Sequence, residues 1–309
     1  FINGKPNCIC RLEKQGEIKM NKTAKIINIS NVSGGVGKST TAIELATYFG
    51  MQGKKVLIVD ADMQASATDC IGAKGQPLTI KELQTMDEKI ESGTNFINVL
   101  DECLIENVAS DLCEVLDDPD MIEDVIVPTE HMNVSLLPAS IRLCQADKNL
   151  SDDRTRSAVD RLVCAFENVQ DRYDYILIDN SPAQTLVSTN TLLASDLNII
   201  PVKLDRKSIK GMIVSLKNTI TIAKRNKKNV DLKVLFTMVS PRGKTEKNLI
   251  PWFRKHMDDM IFQTIIPYQK KPTQDASMMN RQVVLTNTNV GNAYKSLGEE
   301  IIALLENKD

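Results

Sequence analysis

The chain has no stretch that approaches the about 18 consecutive apolar residues of a membrane-spanning helix, so no stable membrane insertion is expected. Residues 1–20 carry no apolar core followed by a small-residue cleavage site, so nothing in them reads as a secretory signal. Histidine is nearly missing, with 2 residues, and the 7 cysteines are odd in number and irregularly spaced. Neither a zinc site nor a disulfide framework is expected on that pattern, and reduced thiols fit a cytoplasmic chain. An excess of one charge is missing too: 38 Lys and Arg stand against 40 Asp and Glu, so a nucleic-acid partner would have to meet a local basic patch. There is no internal repeat and no low-complexity tract. A content of 42% hydrophobic and 25% charged residues is that of an ordinary globular chain and excludes the disordered and fibrous classes.

What is present is an alternation of short apolar, β-branched runs with helical stretches, the pattern of a parallel sheet covered by helices. Strands are predicted at 25–30, 55–60, 133–137, 175–179, 197–202, 233–238 and 261–266. Helices are predicted at 38–51 and near 155–170, 207–228, 245–258 and 291–307, with the acidic, weakly periodic segment 72–124 as helical decoration. The fold class is therefore α/β, a doubly wound and mostly parallel sheet with helices on both faces. Residues 20–309 are expected to form one such domain. Phe1 is not an initiator and Met20 precedes the first strand, so residues 1–19 are expected to be a leader or a non-native segment.

The run Ser33-Gly34-Gly35-Val36-Gly37-Lys38-Ser39-Thr40 lies between a predicted strand and a predicted helix, the context that a phosphate-binding loop needs. Glycines let the backbone approach phosphate oxygens, and the helix N-terminus adds positive potential. The backbone of Gly34, Gly35, Val36, Gly37, Lys38, Ser39 and Thr40 is expected to hold ATP, with Lys38 reaching the outer phosphates and the Ser39 hydroxyl on Mg²⁺. Val32 stands where the common pattern has its first glycine, so the loop is a variant. Two further strands end in carboxylates, at the edge where open α/β sheets hold ligands. Asp179 is suited to hold Mg²⁺ through water. Asp62, two residues past Asp60, is suited to orient the attacking water or to enter the metal's shell. A strand-ending aspartate alone is more often a cap or turn former; three such features in one chain favour the site.

With the loop, VLIVDADMQASAT (56–68), IVPTE and LLPAS (126–140), YDYILIDNSPA (173–183) and LFTM with Arg242 (235–242), the chain resembles the ParA/Soj partition ATPases, relatives of MinD. The likeness runs from about Lys25 to Leu305. It implies an ATP-dependent homodimer, non-specific DNA binding, a centromere-binding partner protein and a nucleoid-associated place in the cytoplasm. It also implies that Lys38 and Asp62 act in hydrolysis, and that Ser39, Asp62 and Asp179 lie on the metal side.

Two positions depart from the family. Ser33 stands where it has a lysine that reaches the other subunit's nucleotide, and Met63 stands where it has proline. A cation supplied to phosphoryl transfer is worth about 10³- to 10⁵-fold in rate, so Ser33→Lys is expected to raise turnover or dimerisation. Arg242 and Arg281 are the substitutes considered. The DADM run also resembles bacterial tyrosine kinases, but the C-terminus has no tyrosine cluster; a MinD-like membrane anchor is disfavoured by the acidic residues of 291–307. Between Arg206 and Lys228 no acidic residue interrupts Arg206, Lys207, Lys210, Lys217, Lys224, Arg225, Lys227 and Lys228. Spacing puts Lys210, Lys217 and Lys224 near one stripe, with Ile209, Met212, Ile213, Leu216 and Ile220 able to face the core. That ridge is the expected DNA face.

Overall fold

A computed structural model of the chain describes residues 24–72, 80–99, 110–240, 243–273 and 281–306. The apolar runs become β1 (Lys25–Ile29), β2 (Val56–Ala61), β3 (Val127–Pro128), β4 (Val134–Leu137), β5 (Tyr175–Asn180), β6 (Leu197–Val202) and β7 (Asp231–Phe236). They pair in the order β3-β4-β2-β5-β1-β6-β7, parallel throughout except for the short antiparallel edge β3. Successive side chains of a strand point to opposite faces, and both faces are covered. Ile27 and Ile29 of β1, Ile58 of β2 and Leu177 of β5 join one core cluster, while Ile26, Leu57, Val59, Ile176 and Ile178 join the other.

The helices that position the site are α1 (Lys38–Met51), α2 (Ser66–Ile71), α3 (Ile80–Glu91), α4 (Leu112–Asp117), α5 (Arg161–Glu167), α6 (Leu186–Ala194), α7 (Arg206–Arg225), α8 (Lys244–Met257) and α9 (Asn289–Glu306). The first cluster is closed by α1 and α9, which cross tightly because Gly298 has no Cβ to collide with the Tyr48 ring. A third cluster joins Ile200 and Val202 of β6 and Val234 and Phe236 of β7 to Met212 of α7 and Phe253 of α8.

Three expectations change. The 261–266 segment is not a strand. It makes only isolated bridges beside β7, from Ile261 to Val234 and from Pro267 to Val239, because the amides of Gln263 and Thr264 donate to the Glu300 carboxylate of α9 (2.7 and 2.9 Å) rather than to a neighbouring strand. The helix expected at 155–170 starts only at Arg161, whose buried guanidinium donates to the carbonyls of Ser157 (2.7 Å) and Asp117 (3.2 Å) and to Asp153, holding the preceding loop against α4. The third change concerns α7. Its buried face is Ser208, Gly211, Met212, Ser215 and Thr219; of the expected apolar stripe Ile209, Met212 and Leu216 pack against the third cluster, whereas Ile213 and Ile220 are exposed. Decoration is present at α3 and α4; residues 73–79 and 100–109, and the expected leader 1–19, lie outside the described residues.

Gly298→Ala should force α1 and α9 apart, at the roughly 1–3 kcal/mol of an overpacked core. Calorimetry of the variant should show a Tm lower by several degrees, and an unchanged Tm would contradict this account of the helix crossing.

Candidate phosphate-binding site

The loop between β1 and α1 turns on two glycines with left-handed backbone, Gly35 (φ +67°) and Gly37 (φ +86°), conformations that side-chain-bearing residues rarely adopt. Gly37 caps α1 without a side-chain bond, so the first amides of that helix open towards the loop. Three braces hold this shape. Thr237, just past β7, donates from its hydroxyl to the Val36 carbonyl (2.8 Å). Asn31 donates to the Pro201 carbonyl (2.7 Å) and accepts from the Ser33 amide (2.9 Å). Ser215 of α7 accepts from the Val32 amide (3.1 Å).

Of the expected loop residues, Gly34, Gly35 and Thr40 are exposed, Gly37 and Ser39 half-buried, and Val36 and Lys38 buried. Lys38 points back along the loop, its ammonium 3.4 Å from the Ser33 carbonyl. Burial lowers its pKa, and the nearby charges of Asp179 and Asp62 oppose that shift. The expected carboxylates do come together with it. Asp60 and Asp179 are register partners at the ends of β2 and β5, both fully buried, and Asp62 follows at 9% exposure.

Their hydrogen bonding separates their roles. Asp60 accepts from the Thr68 amide (2.8 Å), the Thr68 hydroxyl (2.9 Å) and the Asp62 amide (3.1 Å), so it fixes the turn that carries Asp62. Burial still pushes its carboxyl up to about 6. Asp62 accepts from the Gln64 amide (3.0 Å), and the turn ends at Ala65 in a left-handed conformation (φ +50°) that a non-glycine residue holds at a cost. Asp179 has no hydrogen-bond partner on either oxygen. Burial raises its pKa well above the carboxylate range, Asp60 adds to this, and the nearby Ser39 hydroxyl and Lys38 ammonium partly offset it. A buried carboxylate with both oxygens free, beside a serine hydroxyl and an ammonium, suits a hard cation and its waters. Among the described residues no group of three or more His, Cys, Asp or Glu could hold a metal unaided, so such a cation needs ligands from outside the chain.

Next to the loop, Met238 (φ +52°) brings its Cε to 3.7 Å from the place a Cβ on Gly37 would take. One residue on, Val239 opens a cavity of about 390 Å³ with Ile265, Pro267, Asn289, Asn292 and Ser296.

Sequence reasoning missed several parts. The sequence marks Asp60 only as a strand end, and no motif marks Thr237. Lys203 was missed as well: it directly follows β6, and its ammonium lies 4.0 Å from the Cβ position of Gly35. The signal for it was available, since Lys203 also stands at the carboxyl end of a parallel strand. Of the two arginines considered in place of a cation at Ser33, Arg242 lies outside the described residues and Arg281 is exposed. Ser33 itself is buried under α7, where a Cβ at Gly211 would collide with its hydroxyl. Arg206, Lys210, Lys217, Lys224 and Arg225 are all exposed on α7.

A parallel sheet whose first strand runs through this loop into a helix, with lysine, serine and strand-end carboxylates gathered at one end, defines a P-loop nucleoside triphosphatase. A family model described as an AAA domain matches residues 24–234. The sporulation initiation inhibitor protein Soj of Bacillus subtilis is 31% identical over 284 residues, covering 90% of this chain and 98% of Soj. The chromosome partitioning protein ParA of Myxococcus xanthus is 28% identical, covering 93% of this chain and 91% of its own. Among solved structures, a plasmid partition protein of Borrelia burgdorferi bound to AMPPNP is 26% identical with a TM-score of 0.64, covering 93% of this chain and 100% of that one. Apo McdA from Cyanothece shares the fold at a TM-score of 0.72 and 22% identity, covering 90% of this chain and 99% of its own. The chain belongs to this AAA-domain family and within it to the ParA/Soj-type partition ATPases.

Glu44 of α1 ties the loop's helix to the segment that leads into α9, accepting from the amides of Val283 (2.9 Å) and Val284 (2.7 Å). Burial outweighs those two bonds and lifts its carboxyl from 4.5 to about 7. The folded chain therefore holds this proton more tightly than the unfolded one. Its contribution to stability is complete below the unfolded value of 4.5 and is lost as pH rises through about 7. Denaturant unfolding at a series of pH values should show the wild type losing on the order of 2–3 kcal/mol relative to Glu44→Gln across that window. Parallel pH profiles for the two proteins would contradict it.

Proposed function

We propose that the chain binds and hydrolyses ATP with Mg²⁺ in the Gly34–Thr40 loop, and that this cycle drives a partition process on DNA. The observation that carries the reading is Asp179, a buried carboxylate with no partner on either oxygen, set beside Lys38 and Ser39. The Ser39 hydroxyl and Asp179 would hold the magnesium ion, which when bound supplies charge neutralisation on the phosphates. The loop amides and Lys38 bind the phosphate oxygens and keep the chain of phosphates extended. Asp62, whose amide donates to the Asp60 carboxylate, orients the attacking water. The apolar cavity beside Met238, with its few amide and hydroxyl groups, has the size and lining of a small-molecule site and takes the nucleoside.

The relatives named for chromosome and plasmid partition support the DNA reading, and the exposed run Arg206, Lys210, Lys217, Lys224 and Arg225 is the surface suited to it. Phosphate contacts of this kind carry no base specificity. An ATP-dependent homodimer and a centromere-binding partner belong to the same reading, as does a cytoplasmic, nucleoid-associated place. No helix among the described residues is long and apolar enough to cross a membrane.

Calorimetry should detect MgATP binding that is lost in Lys38→Ala. Asp62→Asn should keep that binding and lose about 10²- to 10⁴-fold in turnover, the usual worth of a positioned proton acceptor. A wild-type chain indifferent to adenine nucleotides would end the reading. For DNA, neutralising about four phosphates predicts an affinity loss of roughly two decades between about 50 and 200 mM salt. The triple variant Lys210→Glu, Lys217→Glu, Lys224→Glu should bind random duplex more weakly with a shallower salt slope; an unchanged slope would remove α7 from the DNA face.

A further inference from the structure

The site as described is short of positive charge. Lys38 is one ammonium facing Asp62 and Asp179, with Asp60 beside Asp179, and the phosphates of a nucleotide add further negative charge. Position 33 supplies nothing, because a serine stands there with its hydroxyl packed against Gly211 under α7. Lys203 sits differently. It leaves the carboxyl end of β6, is half-buried, and reaches over the loop until its ammonium is 4.0 Å from the Cβ position of Gly35. Among the described residues that ammonium forms no hydrogen bond and no salt bridge, although its charge is felt by Asp205. A cation held over a glycine loop with left-handed backbone, and committed to no protein partner, is arranged for an anion that the loop binds.

We propose that Lys203 is a second phosphate-binding cation of this site, meeting the outermost phosphate of a nucleoside triphosphate held in the loop of the same chain. The assignment to the outermost phosphate follows from the order of the loop. The helix N-terminus at Gly37 to Ser39 takes the inner phosphates and Lys38 reaches the outer ones from within the loop, while Gly35 lies upstream on the exposed side, where Lys203 adds a second cation. This rests on the nucleotide reading above.

The test compares affinities for AMPPNP and ADP, both with Mg²⁺, by calorimetry. Lys203→Ala and Lys203→Gln should weaken AMPPNP by roughly ten- to a hundredfold, the worth of one charge-assisted contact, and should weaken ADP far less. Lys203→Arg should restore the preference, and Lys255→Ala, an exposed lysine on α8, should leave both affinities unchanged. Thermal unfolding of each variant checks that the fold is kept. Equal losses for the two nucleotides, or none, would overturn the role of Lys203 while leaving the nucleotide reading intact. A wild-type chain that binds neither would instead remove the reading on which the proposal rests.

Discussion

Two aspartates, Asp60 and Asp179, lie side by side and fully buried at the ends of adjacent strands, and the rest of the site is built around keeping them there. Two carboxylates cannot both be ionised at such a place without compensation. The chain resolves this asymmetrically. Asp60 receives three hydrogen bonds, one from the Asp62 amide in the turn that follows it and two from Thr68 of α2, which shapes the approach of Asp62, whereas Asp179 receives none and is left to Lys38, Ser39 and whatever binds beside them. A free chain with this arrangement carries an unsatisfied buried carboxylate, and ordinary cores rarely keep one. Its retention makes sense when a cation and its ligands arrive together with the phosphates, because the missing contacts are then made by the substrate rather than by the protein.

Much of this was legible in the residues. The glycines, Lys38, Ser39 and the two strand-end carboxylates are local signals, each fixed by a motif or by the boundary of an apolar run. The five inner strands were equally legible, since their burial on both faces demands continuous apolar stretches. What was not legible depends on partners far away in the chain. The 261–266 run has the composition of a strand, yet Glu300 takes its amides. Helix α7 has the spacing of an amphipathic helix, yet beside the apolar edge of Ile209, Met212 and Leu216 its buried face carries Ser208, Gly211, Ser215 and Thr219, because that part of it packs on the polar loop. No periodicity in α7 alone announces that. For the same reason the direction of the Ser33 side chain is decided by Gly211, and the sequence around Ser33 is silent about it.

Beneath the loop runs a buried ladder of side-chain amides. Asn28 of β1 donates to Asn198 of β6 (3.1 Å) and accepts from Asn180 of β5, whose own oxygen accepts from Thr191 of α6 (2.8 Å). Asn198 in turn donates to Thr219 of α7 (3.0 Å). Each member is at most 1% exposed except Thr219, at 4%. Polar groups at such depth are tolerated only when they are bonded, and a bonded chain of them fixes geometry in a way that apolar contacts do not. Here it fixes the adjacent strands β5, β1 and β6 and two helices in one register, directly under the point where β1 becomes the phosphate loop.

That register gives the basic helix a mechanical relation to the nucleotide site. Asn31 is the joint. It accepts from the Ser33 amide, accepts from the Ser215 hydroxyl of α7 (3.3 Å) and donates to the Pro201 carbonyl of β6, while Val32 donates to the same Ser215. The loop's first turn therefore cannot shift without breaking bonds to α7, and α7 cannot slide along the sheet without pulling on the loop. Gly211 tightens the contact further, since any side chain there would occupy the space of Ser33. The lysine stripe is on the outer face of that same helix, a helix diameter of about 10 Å from the loop. Few intervening groups separate surface charge from phosphate binding, and those few are hydrogen-bonded rather than sliding apolar surfaces. A helix with a conventional Leu and Ile inner face would have been freer to adjust. On α7 the small polar residues lie beside the apolar edge of Ile209, Met212 and Leu216, and they make the helix follow the loop.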